Sequence, residues 1–274
     1  TRLFIIIMCL PFFFSCEKYE DFIQDFDYSS VYFAYQNPVR TVFANNLEIE
    51  IGTVLGGKRE NNRDEIVYYR IAPELLEDNT LVGANKFTLL PSDYYTLSNP
   101  DKLTIPKGSF LGKTLLRLDP DKFLNDSLAT AKKYALPLLI TETTADSIVG
   151  QNQNSGRKDF TVIVIKYIHS LHGIYYHRGQ RMKYDKNTNK LIDVYRYVTE
   201  EQEEEFIQNI VWDVFTIDSH TLRTNGVGEK LTSNDGNYYL DLTVDANNKV
   251  TINNVTESLI NNIVDLGNSV YDNS

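Results

Sequence analysis

The chain of 274 residues reads as an all-β protein, and three observations predict it. Runs rich in β-branched and aromatic residues recur along its length. Turn signals separate them, among them Asn37-Pro38, Gly56-Gly57, Asn99-Pro100 and Asp119-Pro120. No long stretch carries the apolar spacing of an amphipathic helix.

The first group of strands is expected at 30–36, 46–55, 65–71, 113–118, 134–142 and 159–168. In the second of these, Leu47, Ile49 and Ile51 fall on one face and Glu48 and Glu50 on the other, the pattern of a half-buried antiparallel strand. Short helical turns are expected within 72–78 and 121–133. Strands at this spacing predict a β-sandwich. The polar segment 145–158 resembles a linker, but the run DFTVIVIKYI after it makes a good last strand for the first unit, so the boundary is placed near Ser170.

A second group follows at 171–185, 190–198, 209–218, 237–244 and 249–255, with hairpin turns expected at Asp235-Gly236 and Asp245–Asn248. This meander predicts a small barrel or sandwich. Tyr184-Asp185 opens a turn between strands, and Val270-Tyr271-Asp272 is a similar opening, which leads us to expect a further closing strand beyond Ser274.

The amino end has a different character. Arg2 precedes an unbroken apolar run from Leu3 to Phe14, interrupted only by Pro11. That run is shorter than the ~20 residues of a membrane span and fits the apolar region of a secretory signal. Phe14-Ser15-Cys16 resembles a bacterial lipobox, in which the signal is cut before the cysteine and the cysteine is acylated. The resemblance implies a signal peptide over 1–15, lipid on Cys16 and a membrane anchor. Cys9 would leave with the signal, so the mature chain would have no disulfide. An ordinary secreted protein cut elsewhere is the alternative. Residues 16–29 then form an acidic tether with Glu17, Glu20, Asp21, Asp25 and Asp27. This segment resembles the export tag of Bacteroidetes surface lipoproteins, which implies an outer-membrane, cell-surface location.

With 27 basic and 37 acidic residues the net charge is -10, which argues against nucleic acid as a partner. A hydrophobic content of 42% is that of a folded chain.

A family resemblance covers nearly all of the mature chain. Leu90-Pro91 with Tyr94 or Tyr95 and Leu97, Ile105 with Gly108, and Tyr134 with Leu136-Pro137-Leu138 and Ile140 form a strand-and-turn pattern. It resembles the N-terminal domain of a group of Bacteroidetes surface lipoproteins associated with glycan uptake. The stretches LHGIYYHRGQRMKYDKNTNKL and HTLRTNGVGEKL are similar to the C-terminal domain that accompanies it. The resemblance implies an immunoglobulin-like sandwich of unknown function over 30–169 and a β-barrel-like (calycin- or lipocalin-like) domain over 170–274. It carries over no catalytic residue.

Candidate sites were weighed by type. His169, His172 and His177 lie close in sequence, but a strand points His169 and His172 to opposite faces, so surface or joint histidines are favoured over a metal site. The acidic run 200–206 lacks the glycine turn of a calcium loop. There is no G-x-S-x-G, and Asn154–Lys158 is no phosphate loop. No cofactor is expected. Aromatic residues are the most suggestive class, with 18 Tyr, 14 Phe and one Trp. Tyrosine pairs on strands send one ring inward and one outward, and an outward ring can stack on a sugar. Tyr175, Tyr176, Tyr195, Tyr197 and Trp212 all belong to the second half, so a ligand site is expected there. The leading expectation is a non-catalytic glycan-binding accessory protein with polysaccharide and outer-membrane protein partners. An adhesin-like scaffold is the alternative, and a glycoside hydrolase the least favoured reading.

Overall fold

The computed structural model describes residues 26–43, 45–153, 156–196 and 210–272. The first eleven strands are β1 (Ser30–Phe33), β2 (Val39–Phe43), β3 (Glu48–Gly56), β4 (Glu65–Ile71), β5 (Thr88–Leu89), β6 (Tyr95–Leu97), β7 (Lys102–Ile105), β8 (Leu111–Leu118), β9 (Tyr134–Thr143), β10 (Ser147–Ile148) and β11 (Phe160–Ile168). They form two sheets, ordered β10-β1-β3-β8-β6 and β2-β11-β9-β4-β7, with β5 beside β9.

The two sheets bury a shared core. Ile49 and Ile51 of β3 and Leu116 of β8 meet Leu136, Leu138 and Ile140 of β9 and Ile163 and Ile165 of β11. Each such side chain contributes about 1.5–3 kcal/mol by leaving water. The alternation read in β3 holds, since Ile49 and Ile51 are buried while Glu48 and Glu50 are exposed. The continuous apolar run of β11 has a different reason. Its alternate residues Phe160, Val162 and Val164 join Ala72, Leu75 and Val82 in a second apolar cluster on the outer face of the sheet. Helical turns at Pro73–Leu76 and Asn79–Val82 bring those covering residues, and Asp78 caps the latter turn by accepting the Thr80 N–H at 2.9 Å. A strand covered on both faces is apolar throughout.

The described part of the segment 145–158 belongs to the sandwich. Within it β10 runs parallel to β1. Asp146 accepts hydrogen bonds from Ser29 N at 2.7 Å and Ser29 Oγ at 2.8 Å and pairs with Lys58 at 3.2 Å. These bonds, the backbone one first, lower the Asp146 pKa to about 2. Gly150, at φ 73°, closes the loop, and a Cβ there would lie 2.6 Å from the Arg157 Cα.

The later strands are β12 (Gly173–His177), β13 (Gln180–Tyr184), β14 (Leu191–Arg196), β15 (Ile210–Thr216), β16 (Thr221–Thr224), β17 (Gly226–Val227), β18 (Lys230–Leu231), β19 (Leu240–Val244) and β20 (Val250–Asn254). β12-β15-β16-β19-β20 form one antiparallel sheet, curled as a half-barrel. Among the described residues β12 and β20 do not pair, so the sheet is open where the resemblance implied a barrel. β13 and β14 form a separate two-stranded ribbon, and β17 and β18 another.

The turn at Asp245–Asn248 is as expected, with the Asn248 N–H donating to Asp245 O at 3.0 Å and Asn248 at φ 62°. The other expected turn is shifted by one residue. Ser233 and Gly236 exchange both backbone hydrogen bonds, at 3.0 and 3.1 Å, so Asn234 and Asp235 are its central residues. Val270 is bridged to Lys249, and the Tyr271 N–H donates to Asn248 O at 2.7 Å, alongside the start of β20. His169 and His172 lie between the two groups of strands. Thr216 Oγ1 accepts the His169 N–H at 2.9 Å, and the Thr216 N–H donates to His172 Nδ1 at 3.1 Å. No helix among the described residues is long and apolar enough to cross a membrane.

Candidate functional site: an aromatic groove on the open sheet

The register of β12 on β15 sets Tyr175 opposite Trp212 and Gly173 opposite Val214. Directly paired residues share a face, so Tyr175, His177, Trp212 and Val214 all look the same way. The pairings of Leu222 with Leu242 and of Val244 with Val250 extend this face across the sheet. The result is a groove of about 220 Å³, with Leu171 and Tyr271 at its margins. Among the described residues its lining contains no charged side chain. It is smaller than the ~300–1,000 Å³ pockets that enclose a drug-sized ligand, so it suits one ring-sized group of a longer molecule.

Each aromatic side chain is held by its surroundings. The Tyr175 hydroxyl donates to Leu171 O at 2.8 Å. The His177 ring stacks on the Trp212 indole with centroids 3.6 Å apart and planes 12° from parallel. Trp212 Nε1 is buried and, among the described residues, has no hydrogen-bond acceptor. Gly226 makes room for it, because a Cβ there would lie 2.7 Å from Nε1 and 2.9 Å from Leu231 Cδ2.

Burial lowers the His177 pKa below its usual 6.5. The unfolded chain therefore takes up this proton first as the pH falls. The contribution is fully present above about 6.5 and is lost as the pH drops toward the folded value. Because Trp212 is the only tryptophan, its fluorescence should report the titration with a midpoint below 6.5, and His177→Gln should abolish it. A midpoint at or above 6.5 would contradict the buried stack.

The structure brings together Tyr175 and Trp212 of the residues expected from sequence. Tyr176 pairs with Val211 on the opposite face of the same strands and is 55% exposed. Tyr195 lies on the β13–β14 ribbon opposite Arg181, whose guanidinium sits 5.6 Å from its ring centre. Tyr197, Cys16 and the acidic run 200–206 lie outside the described residues. Sequence reasoning did not single out Leu222, Leu242, Val250 or Tyr271 as groove walls. The alternation Leu240, Leu242, Val244 was the available signal, and it could not say that this apolar face stays partly open. Among the described residues no three His, Cys, Asp or Glu side chains are grouped to hold a metal ion.

Fold and groove together define an all-β protein in which a two-sheet sandwich precedes an open antiparallel sheet with one aromatic, apolar face. A protein-family model describing an N-terminal domain matches residues 26–147. A search of curated proteins finds no match. Among solved structures, a protein of unknown function from Bacteroides ovatus shares the fold at a TM-score of 0.67 and 21% identity, covering 83% of this chain and 78% of its own. An auxiliary nutrient binding protein from Bacteroides thetaiotaomicron matches at a TM-score of 0.42 and 16% identity, over 80% of this chain and 70% of its own. A protein of Bacteroides ovatus provisionally described as carbohydrate binding matches at 0.36 and 15% identity, over 81% and 66%.

Proposed function

We propose that the protein is a non-catalytic, cell-surface glycan-binding accessory protein anchored by lipid on Cys16. The observation that carries the binding role is the groove, where Tyr175 and Trp212 lie side by side on an apolar, uncharged surface. Such a surface matches the apolar face of a neutral sugar ring, with stacking as the main attraction. The non-catalytic part is supported by a groove lining that, among the described residues, holds no carboxylate, since glycoside hydrolysis ordinarily needs two across a cleft. The anchor and the outer-membrane location rest on the Phe14-Ser15-Cys16 pattern and the acidic segment after it.

The test is a polysaccharide panel run against the soluble protein from Glu17 onward, reading retarded migration and new reducing ends together. Retardation on a neutral polysaccharide without new reducing ends is expected. New reducing ends would replace this reading with a hydrolase. For the anchor, the protein made from its own gene in its native host should carry acyl chains on Cys16 by mass spectrometry, and an unmodified mature N-terminus would refute it.

One observation favours a second reading, a scaffold for protein partners. On the β13–β14 ribbon Met182 pairs with Val194 and Tyr184 with Leu191, and all four are exposed. A two-stranded ribbon with an apolar face gains stability by covering it.

A further inference from the structure

We infer a second binding site, on the sandwich, for a small sugar-like ring bearing a carboxylate or sulfate. Lys86, Lys132 and Lys133 line a cavity of about 550 Å³, a volume typical of ligand pockets at ~300–1,000 Å³. The inference is independent of the groove in the second half of the chain.

Three features define the chemistry. The first is charge. The molecule carries a net charge of -10, yet among the described residues no Asp or Glu lines this cavity. Among the described residues none of the three lysines forms a salt bridge, as holds for most lysines of the chain, so their charges are not offset within the cavity. Three ammonium groups around one cavity favour an anionic ligand over a cationic one. The second is the apolar part of the wall. Val39, exposed and paired with the buried Val164, and the half-buried Phe87 give the lining an accessible apolar part, so the cavity also offers a surface for the carbon face of a ring. The third is polar side chains fixed in place. Asn37 Nδ2 donates to Leu81 O at 2.8 Å and Asn85 Nδ2 to Val82 O at 3.3 Å. Each amide is thereby oriented, with its Oδ1 available to accept from a hydroxyl.

The backbone at Lys132 points the same way. Its φ is 52°, in the left-handed region where glycine or asparagine is the usual occupant. A lysine held there departs from local preference, and such departures concentrate at binding sites. It follows Ala131, whose N–H closes the preceding helical turn onto Leu128 O at 3.2 Å.

The experiment measures binding of a galacturonate oligosaccharide to the soluble protein from Glu17 onward, beside its neutral methyl ester and beside vesicles of anionic phospholipid. The acid should bind, the ester should bind more weakly, and raising salt should weaken the acid further. The triple substitution K86A/K132A/K133A should weaken the acid about tenfold, taking the lysines together as three exposed ion pairs. Lys132→Gly suits the backbone at that position and serves as a folded control, expected to weaken the acid about two- to threefold. The proposal is overturned if the acid does not bind, if the triple variant binds it as the parent does, or if only the vesicles bind. Trp212→Ala should leave the acid bound here, so failure of the groove and failure of this site give different results.

Discussion

Arg157→Ala should destabilise the sandwich by about 3 kcal/mol, lowering its melting temperature by about 6–12 °C. Arg157 grips Asp159 with two parallel bonds, Nε to Oδ1 at 2.9 Å and a terminal nitrogen to Oδ2 at 3.1 Å. The Asp159 side chain is only 5% exposed, whereas that of Arg157 is 25% exposed. Removing the cation therefore strands a carboxylate that water can barely reach. Breaking a buried pair in this way costs about 3–5 kcal/mol, and the lower end applies because the arginine side is partly wet. The guanidinium also lies 5.2 Å from the centre of the Phe160 ring, so some packing is lost as well. Asp159 O accepts the Ile140 N–H at 2.7 Å, which places the damage at the joint between β9 and β11. Thermal unfolding followed by circular dichroism is the measurement. Replacing both partners together, Arg157→Met with Asp159→Leu, should recover much of the loss, because no charge is then left buried. A single Arg157→Ala variant as stable as the parent would refute the pairing.

Trp212→Ala should lower affinity for the neutral polysaccharide about thirtyfold or more. A buried tryptophan at the centre of a binding surface typically contributes at least ~2 kcal/mol. Here the indole is positioned from two sides, by the stacked His177 and by the backbone at Gly226. The cut also removes packing from the sheet, so Trp212→Phe is the companion variant that keeps an aromatic ring. It should retain the fold and lose only part of the affinity. Tyr175→Ala should weaken binding about two- to tenfold, the worth of one aromatic contact. Tyr176→Ala should leave it unchanged, since that ring faces the other side of the sheet. Affinity electrophoresis of the four variants reads all of this at once. If Tyr176→Ala matters and Trp212→Ala does not, the ligand lies on the opposite face and the groove is not the site.

Much of the fold was legible because burial imposes a period on the residues. The alternation of Leu47 to Ile51 announced a strand with one wet face, and β4 has the bounds read from Glu65–Ile71. Several short strands were not legible. β2 carries only Val39–Phe43, and β10 only Ser147–Ile148. Strands this short have too few alternating positions to stand out, and both are held by parallel pairing to a distant partner. The polar segment around β10 resembled a linker in composition, and only the β11 run after it placed it in the first unit; its order comes from Asp146 reaching back to Ser29 across the chain.

The candidate site divides in the same way. The pair Tyr175-Tyr176 could be read as one ring on each face, and the structure has them so. Which ring lies beside Trp212 depends on the register of β12 against β15, which the separate runs do not encode. Tyr195 looked equivalent to the others in composition, yet it sits on a ribbon outside the five-stranded sheet. The lysine cavity had no signature at all. Lys86 and Lys132 are far apart in the chain, and they line one cavity because the segments after the Asn79–Val82 and Ser127–Thr130 turns come together there.

By itself the sequence determined the all-β class, the order of the longer strands, the acidic character and the presence of an apolar segment ending at Cys16. Each of these is a local property, set by side-chain alternation, turn chemistry or charge within a few residues. Only the tertiary structure decided which aromatic rings share a face, and, among the described residues, that the second sheet is open and that three lysines line a cavity without an acid. Those outcomes depend on strand register and on contacts between residues distant in the chain. A shift of one residue in the pairing would send Trp212 to the other face of the sheet.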